Sequence, residues 1–142
     1  MINTMSPLVN YMCNDLHQGK FLNRYGPEAN LPLVDPADIG AFVVAAFSNT
    51  FMFSGKTINV ASEKLNVLEI VTHISNAAGQ AVQAVFRSAE ELERECRNPL
   101  ISGQVRSRNL AGLVGMHGVE GYRILLTSFV MFLAAHKDAV IP

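Results

Sequence analysis

The sequence is short of several things that would each have pointed to a function. It has no tryptophan and only two cysteines, Cys13 and Cys96. They lie far apart and have no ligand-type neighbours at metal spacing, which excludes a disulfide-stapled fold and a thiolate zinc site. Two unpaired thiols suit a reducing compartment, and the cytoplasm is the expected location. Charge is scarce too: 16% of residues are Asp, Glu, Lys or Arg, against the usual quarter. The net charge is −1, and no basic run occurs. Arg106 and Arg108 form the densest positive spot, too little for a nucleic-acid footprint. No basic leader precedes an apolar core at the N-terminus, so no secretory signal is expected. The most apolar stretch, Ile124 to Ala135, is interrupted by Thr127 and Ser128. It spans about 12 residues, where a bilayer needs roughly 20.

The common catalytic motifs are missing as well. A loop that cradles phosphate needs closely spaced glycines between a strand and a helix. Gly112, Gly115 and Gly118 have a glycine rhythm but no hydrophobic strand before them. Tyr11, Tyr25 and Tyr122 have no lysine four residues on, which excludes that hydride-transfer pair. His17, His73, His117 and His136 include no pair at the three- or four-residue spacing of a helical metal site. No serine sits in a nucleophile elbow. Asp35, Asp38, Glu69 and Glu91 are explained as helix caps or first-turn acids.

Nearly half the residues are apolar (49%), enough for the core of one domain over residues 1–142. With so little charge, a chain of this kind either leans part of its surface on a partner or another domain or is a modestly soluble monomer, and composition does not separate the two. The clearest signals lie between Asp35 and Gly79. Asp35 is a cap, Pro36 occupies the first helical position, and Asp38 falls in the first turn. Ile39, Val43, Ala46 and Phe47 recur at helical spacing and mark the expected buried stripe. Asn49 ends the run. Thr57 to Ala61 alternates polar and apolar residues and predicts a strand. Asn66-Val67-Leu68-Glu69 is a capping box ahead of Ile70, Val71, Ile74 and Ala77, and Gly79 stands where a helix ends in the left-handed region. Helix, strand and helix in succession predict a layered α/β architecture.

The flanks are less regular. Ser6-Pro7 opens a predicted helix carrying Leu8, Met12 and Leu16, closed near Gly19. Leu31 to Val34 is short and proline-marked, which suits an edge strand. Ala81 to Phe86 predicts a strand. Ser88-Ala89-Glu90-Glu91 predicts a third capped helix, to about Arg97, with Glu90–Arg94 and Glu93–Arg97 at ion-pair spacing. Leu110, Leu113 and Val114 suit a short helix. Gly121 to Ile124 reads as a short extended piece before a last helix capped by Thr127, or as part of one continuous helix from about Val119 to Lys137.

The run from Leu33 to Gly40, with Ala45-Ala46-Phe47, Phe53 to Glu63, Leu65, Glu69-Ile70 and Ala78-Gly79, resembles the C-terminal half of the NmrA-like family. These are atypical short-chain dehydrogenase/reductase relatives. The likeness reaches back to Asn10-Tyr11, similar to the family's aromatic-Glu-Asn-aromatic segment beside the pocket, with Val9 where the family usually has Glu. It reaches forward through Asn98 to Gln104 and Tyr122 to Phe129. The resemblance implies the C-terminal portion of a Rossmann-like NAD(P)-binding fold, with its substrate-side helices present and the N-terminal nucleotide-binding half missing. NADP is the implied cofactor of the complete family, with none expected on this chain alone. Asn10 and Tyr11 are the implied cofactor-binding residues, lining the nicotinamide or substrate end. Asp38 and Gly40 are expected to be architectural, a cap-turn carboxylate and a site of close packing. The expected activity is that of a redox sensor or oxidoreductase that is inactive alone. The alternatives are a non-catalytic protein-binding module and a degenerate fragment. A protein partner or the missing half is the expected companion, with oligomerisation left open and neither nucleic acid nor membrane implied.

Overall fold

A computed structural model describes residues 18–98, 102 and 118–137. The chain enters through Gly19, whose φ of +68° lies in the left-handed region and whose missing Cβ would stand 3.2 Å from the Ala81 carbonyl oxygen. Both constraints favour glycine at this position. The turn delivers β1 (Lys20–Asn23) alongside β4 (Gln83–Phe86), and the two pair in parallel, Lys20 opposite Gln83 through Asn23 opposite Phe86. Parallel strands need a long crossover. Here the crossover carries β2 (Asn30–Leu33), α1 (Pro36–Ser48), the single turn α2 (Thr50–Phe53), β3 (Glu63–Asn66) and α3 (Val67–Ala78). Within it, β2 and β3 form a second, antiparallel pair, with Leu31 opposite Leu65. The architecture is therefore mixed α/β, as expected from the helix and strand signals.

The three predicted caps are present. The Asp35 carboxylate accepts from the Ala37 N–H at 2.8 Å, with Pro36 opening α1. Asn66 and Glu69 exchange both capping-box bonds, at 2.9 and 2.8 Å. Ser88 and Glu91 do the same at the start of α4 (Ala89–Glu95). Gly79 ends α3 at φ +68°. The buried face of α3 is Val67, Ile70, Val71 and Ile74, the i, i+3, i+4, i+7 stripe of an amphipathic helix. It packs against α5 (Phe129–Ala135), whose Phe129, Phe132 and Leu133 complete the core with Phe21, Leu31 and Leu65.

Several expectations are corrected. Residues 57–61 form no ladder. Their alternation survives in burial, with Ile58 and Val60 half-buried and Thr57 and Asn59 exposed. The strand starts at Glu63, two residues beyond the end of the expected one, after Ser62 ties itself to the end of β2, its N–H and hydroxyl both donating to the Leu33 carbonyl. The buried residues of α1 are Asp38 and Phe42, whereas Val43 and Phe47 of the expected stripe face outward. Gly40 is exposed with open space at its Cβ position, so close packing does not explain it. Gly121 lies in a 3-10 turn (Glu120–Tyr122) rather than an extended piece. Arg123 then turns left-handed at φ +54°, which prevents a continuous helix from Val119. Ser128, not Thr127, caps α5. The helices expected near Ser6 and Leu110 lie outside the described residues.

Candidate functional site

Asn10 and Tyr11 lie outside the described residues. Among the described ones, three groups of side chains have the chemistry of a site, and each is assembled from distant parts of the chain.

The first group stands at the carboxyl ends of the parallel pair, the side on which open α/β sheets bind ligands. Arg24 and Arg87 follow the last paired residues and sit side by side, with the Arg87 N–H bonded to the Asn23 carbonyl at 3.3 Å. Asn23, fully buried, accepts from the Tyr25 and Gly26 N–H groups at 2.8 and 3.0 Å and turns the chain away from the strand. Glu95, on α4, holds both arginines: Arg24 Nε at 2.9 Å and Arg87 Nη2 at 3.0 Å. Glu91 adds a bond to Arg87 Nη1 at 3.0 Å. These pairs differ from the Glu90–Arg94 and Glu93–Arg97 pairs that spacing predicts; the Arg94 Nε donates to the Glu90 carbonyl instead. The Ser88 N–H bonded to Glu91, with Arg87 beside it, holds the Glu91 carboxyl below the ordinary glutamate range. Arg24 Nη1 and Arg87 Nε are buried without an acceptor among the described residues. A buried donor left unpaired costs free energy, so these two nitrogens mark where an acceptor would be welcome.

The second group ties the late chain to the early chain. Asp38 is buried, and its carboxylate accepts from the Thr127 N–H at 2.8 Å and the Thr127 hydroxyl at 3.0 Å. The Glu63 carboxylate accepts from the Phe129 N–H. Asp38 is thus architectural, as expected, but its partner is 89 residues away and not the cap turn. His73 meets the edge of Phe129, and His136 stacks on Phe132 while its Nδ1 bonds the Phe132 carbonyl. Packing and helix-end bonding account for both histidines.

The third group is an apolar groove of about 260 Å³ between α1 and the segment after α2, lined by Ile39, Phe42, Val43, Phe53 and Ile58 with Lys56 at its edge. Tyr122 closes one flank, its ring 4.6 Å from Phe53, 5.7 Å from Phe42 and 5.7 Å from the Lys56 ammonium. An aromatic wall beside a cation suits apolar contacts more than proton transfer.

A profile of the NmrA-like family matches residues 1–111. The chain belongs to the NmrA-like family. No curated protein matches it. Membership ties the chain to a family of NAD(P)-binding, oxidoreductase-related proteins.

The described residues of this NmrA-like chain do not fit a dinucleotide diphosphate. Such a group binds at a helix N-terminus with free amide donors. Here Asp35 caps α1, Asn49 caps α2, the Asn66–Glu69 box closes α3 and the Ser88–Glu91 box closes α4. At α5, Ser128 and Glu63 take the leading amides. Four of the five starts also have a carboxylate against them, which repels phosphate. No metal-type cluster of His, Cys, Asp and Glu occurs among the described residues, and no described helix is long and apolar enough to cross a membrane.

Proposed function

We propose that this chain is the substrate-side portion of an NmrA-like NAD(P)-binding protein, a redox sensor or a reductase of small carbonyl or quinone compounds, and that residues 1–142 alone do not grip a dinucleotide. One observation carries the reading: every described helix start already has a leading amide accepted by a side chain of the chain itself, and four of the five have a carboxylate there. A diphosphate would have to displace an internal cap at each, and the internal cap has no entropy of association to overcome. NADP, the family's implied dinucleotide, would carry hydride when bound, giving it up from its reduced form NADPH, and the residues that would hold its phosphates are assigned to no described element. The parallel β1–β4 pair with its helical crossover supports the Rossmann-like part of the reading. Asn10 and Tyr11, just upstream of β1, are the residues proposed to line the nicotinamide or substrate end.

A second reading, a regulatory module that works by protein contact, is favoured by the outward apolar side chains of α1 and α2. Titration calorimetry with NADP and NADPH tests the first. The expected result is no saturable heat for the 142-residue chain. Saturable binding in the micromolar range would overturn it.

A further inference from the structure

Two guanidiniums meet at the carboxyl ends of β1 and β4, and their donors are incompletely used. Arg24, with a side chain only 9% exposed, engages Glu95 through Nε, while its Nη1 is buried with no acceptor among the described residues. Arg87 engages Glu91 and Glu95 through Nη1 and Nη2, while its Nε is buried and unpaired in the same way. Buried unpaired donors are rare, and those of a cation are the costliest to leave so. Two of them on neighbouring side chains that share one carboxylate call for an explanation.

We infer that Arg24 and Arg87 form a binding site for a phosphate monoester, and that Glu95 occupies the site as an internal stand-in for its oxygens. Three observations support this. The first is how Glu95 is shared: Oε2 accepts from Arg24 Nε at 2.9 Å and Oε1 from Arg87 Nη2 at 3.0 Å. Neither arginine receives both oxygens, so neither makes the forked pair that guanidinium geometry favours. A planar carboxylate has no further oxygen for the donors left over, whereas a tetrahedral phosphate has others outside that plane. Its charge of about −1.5 to −2 also answers two cations better than one carboxylate does. The second is the element that brings Glu95. Helix α4 has seven residues, none buried and none in the core, so the ion pairs of Glu95 are a main tie between it and the body of the chain. Glu95 itself is 24% exposed, on the solvent side of the pair, so exchanging it for an incoming anion opens no core. The third is position: a ligand held there has its phosphate at the strand ends, where open α/β sheets receive ligands. The inference goes beyond the dinucleotide reading and does not rest on it.

Titration calorimetry with inorganic phosphate tests it, at constant ionic strength and with no dinucleotide present. The wild-type chain is expected to bind in about the millimolar range, because Glu95 competes from within, and Glu95→Gln to bind at least about tenfold more tightly. Arg24→Met and Arg87→Met are expected to lose saturable binding, with circular dichroism confirming that both are folded. Acetate should bind Glu95→Gln at least about tenfold more weakly than phosphate does. The unfolding midpoint gives a second readout: phosphate should raise it in the wild type and in Glu95→Gln, and raise it less in Arg24→Met, which carries only the general salt effect. The comparison of wild type with Arg24→Met decides the matter even where Glu95→Gln folds poorly. No saturable phosphate binding by the wild type or Glu95→Gln, or equal effects of phosphate on wild type and Arg24→Met, overturns the site. Binding by Glu95→Gln no tighter than by the wild type overturns the role of Glu95, and acetate binding as tight as phosphate overturns the ligand class.

Discussion

Replacing Asp38 by alanine removes the acceptor for two donors at once, the Thr127 N–H and the Thr127 hydroxyl. A hydrogen bond to a charged acceptor contributes about 1.5–3 kcal/mol, and an abandoned donor away from water costs about 1–3 kcal/mol. Thr127 is only half-buried, so water recovers part of this at the vacated position. The expected loss for Asp38→Ala is therefore about 2–4 kcal/mol, a large fraction of a typical domain's stability. Asp38→Asn keeps the shape and an oxygen that accepts from the N–H, and its amide can donate to the hydroxyl oxygen. Its expected loss is about 1 kcal/mol, the difference between a charged and a neutral acceptor. Thr127→Val removes only the hydroxyl bond and should cost about 1 kcal/mol. Because Asp38 and Thr127 share these bonds, the double variant Asp38→Ala/Thr127→Val should be less destabilised than the sum of the singles, by about 0.5–1.5 kcal/mol. Urea unfolding followed by circular dichroism measures all four, provided the slope with denaturant is unchanged. In heat, each kcal/mol should appear as about 2–4 °C. A loss below about 0.5 kcal/mol for Asp38→Ala, or strict additivity of the pair, would refute the claim that this carboxylate fastens α5 to α1.

Two further predictions concern the arginine cluster. Glu95→Ala leaves the Arg24 guanidinium, 9% exposed, without its carboxylate, and should cost about 2–4 kcal/mol, while Arg24→Met should be near neutral because it removes the buried charge itself; equal losses in the two variants would show that the pair acts through packing alone. Glu91 titrates below its ordinary value of 4.5, chiefly through the Ser88 N–H and then through Arg87. Its folded form thus binds its proton less readily than the unfolded chain does, so its contribution is complete above the unfolded value and is lost as pH falls through the folded one. A carbon-detected titration of the Glu91 carboxyl should give a midpoint below 4.5, and one at or above that value would contradict the capping-box explanation.

Local chemistry was legible without coordinates. The Asp35 cap, the Asn66–Glu69 and Ser88–Glu91 boxes and the left-handed Gly79 were all readable because each rests on contacts within four residues. The apolar stripe of α3 was readable for the same reason. The strand expected at Thr57 to Ala61 was misplaced, since alternation reports burial and not pairing. Its pattern is present in Ile58 and Val60, but the ladder belongs to Glu63–Asn66. In α1, Ile39, Val43, Ala46 and Phe47 satisfied the helical period as well as Asp38 and Phe42 did. Nothing local says that a carboxylate belongs on the inner side when its partner, Thr127, lies far down the chain. The candidate site was the least legible part: Asn10 and Tyr11 came from resemblance, and the Arg24–Glu95–Arg87 cluster carried no spacing signal.

By itself, the sequence determined where α1, α3 and α4 of this NmrA-like chain begin, where α3 ends, and how little charge it has for its surface, because caps, turns and composition are properties of neighbouring residues. Tertiary structure decided which side of α1 meets the core, where the β2 ladder finds its mate, and which distant acids hold Thr127, Phe129 and the two arginines. Those choices depend on which groups meet after the chain has closed on itself, and a one-dimensional pattern that suits two faces equally has no means to choose between them.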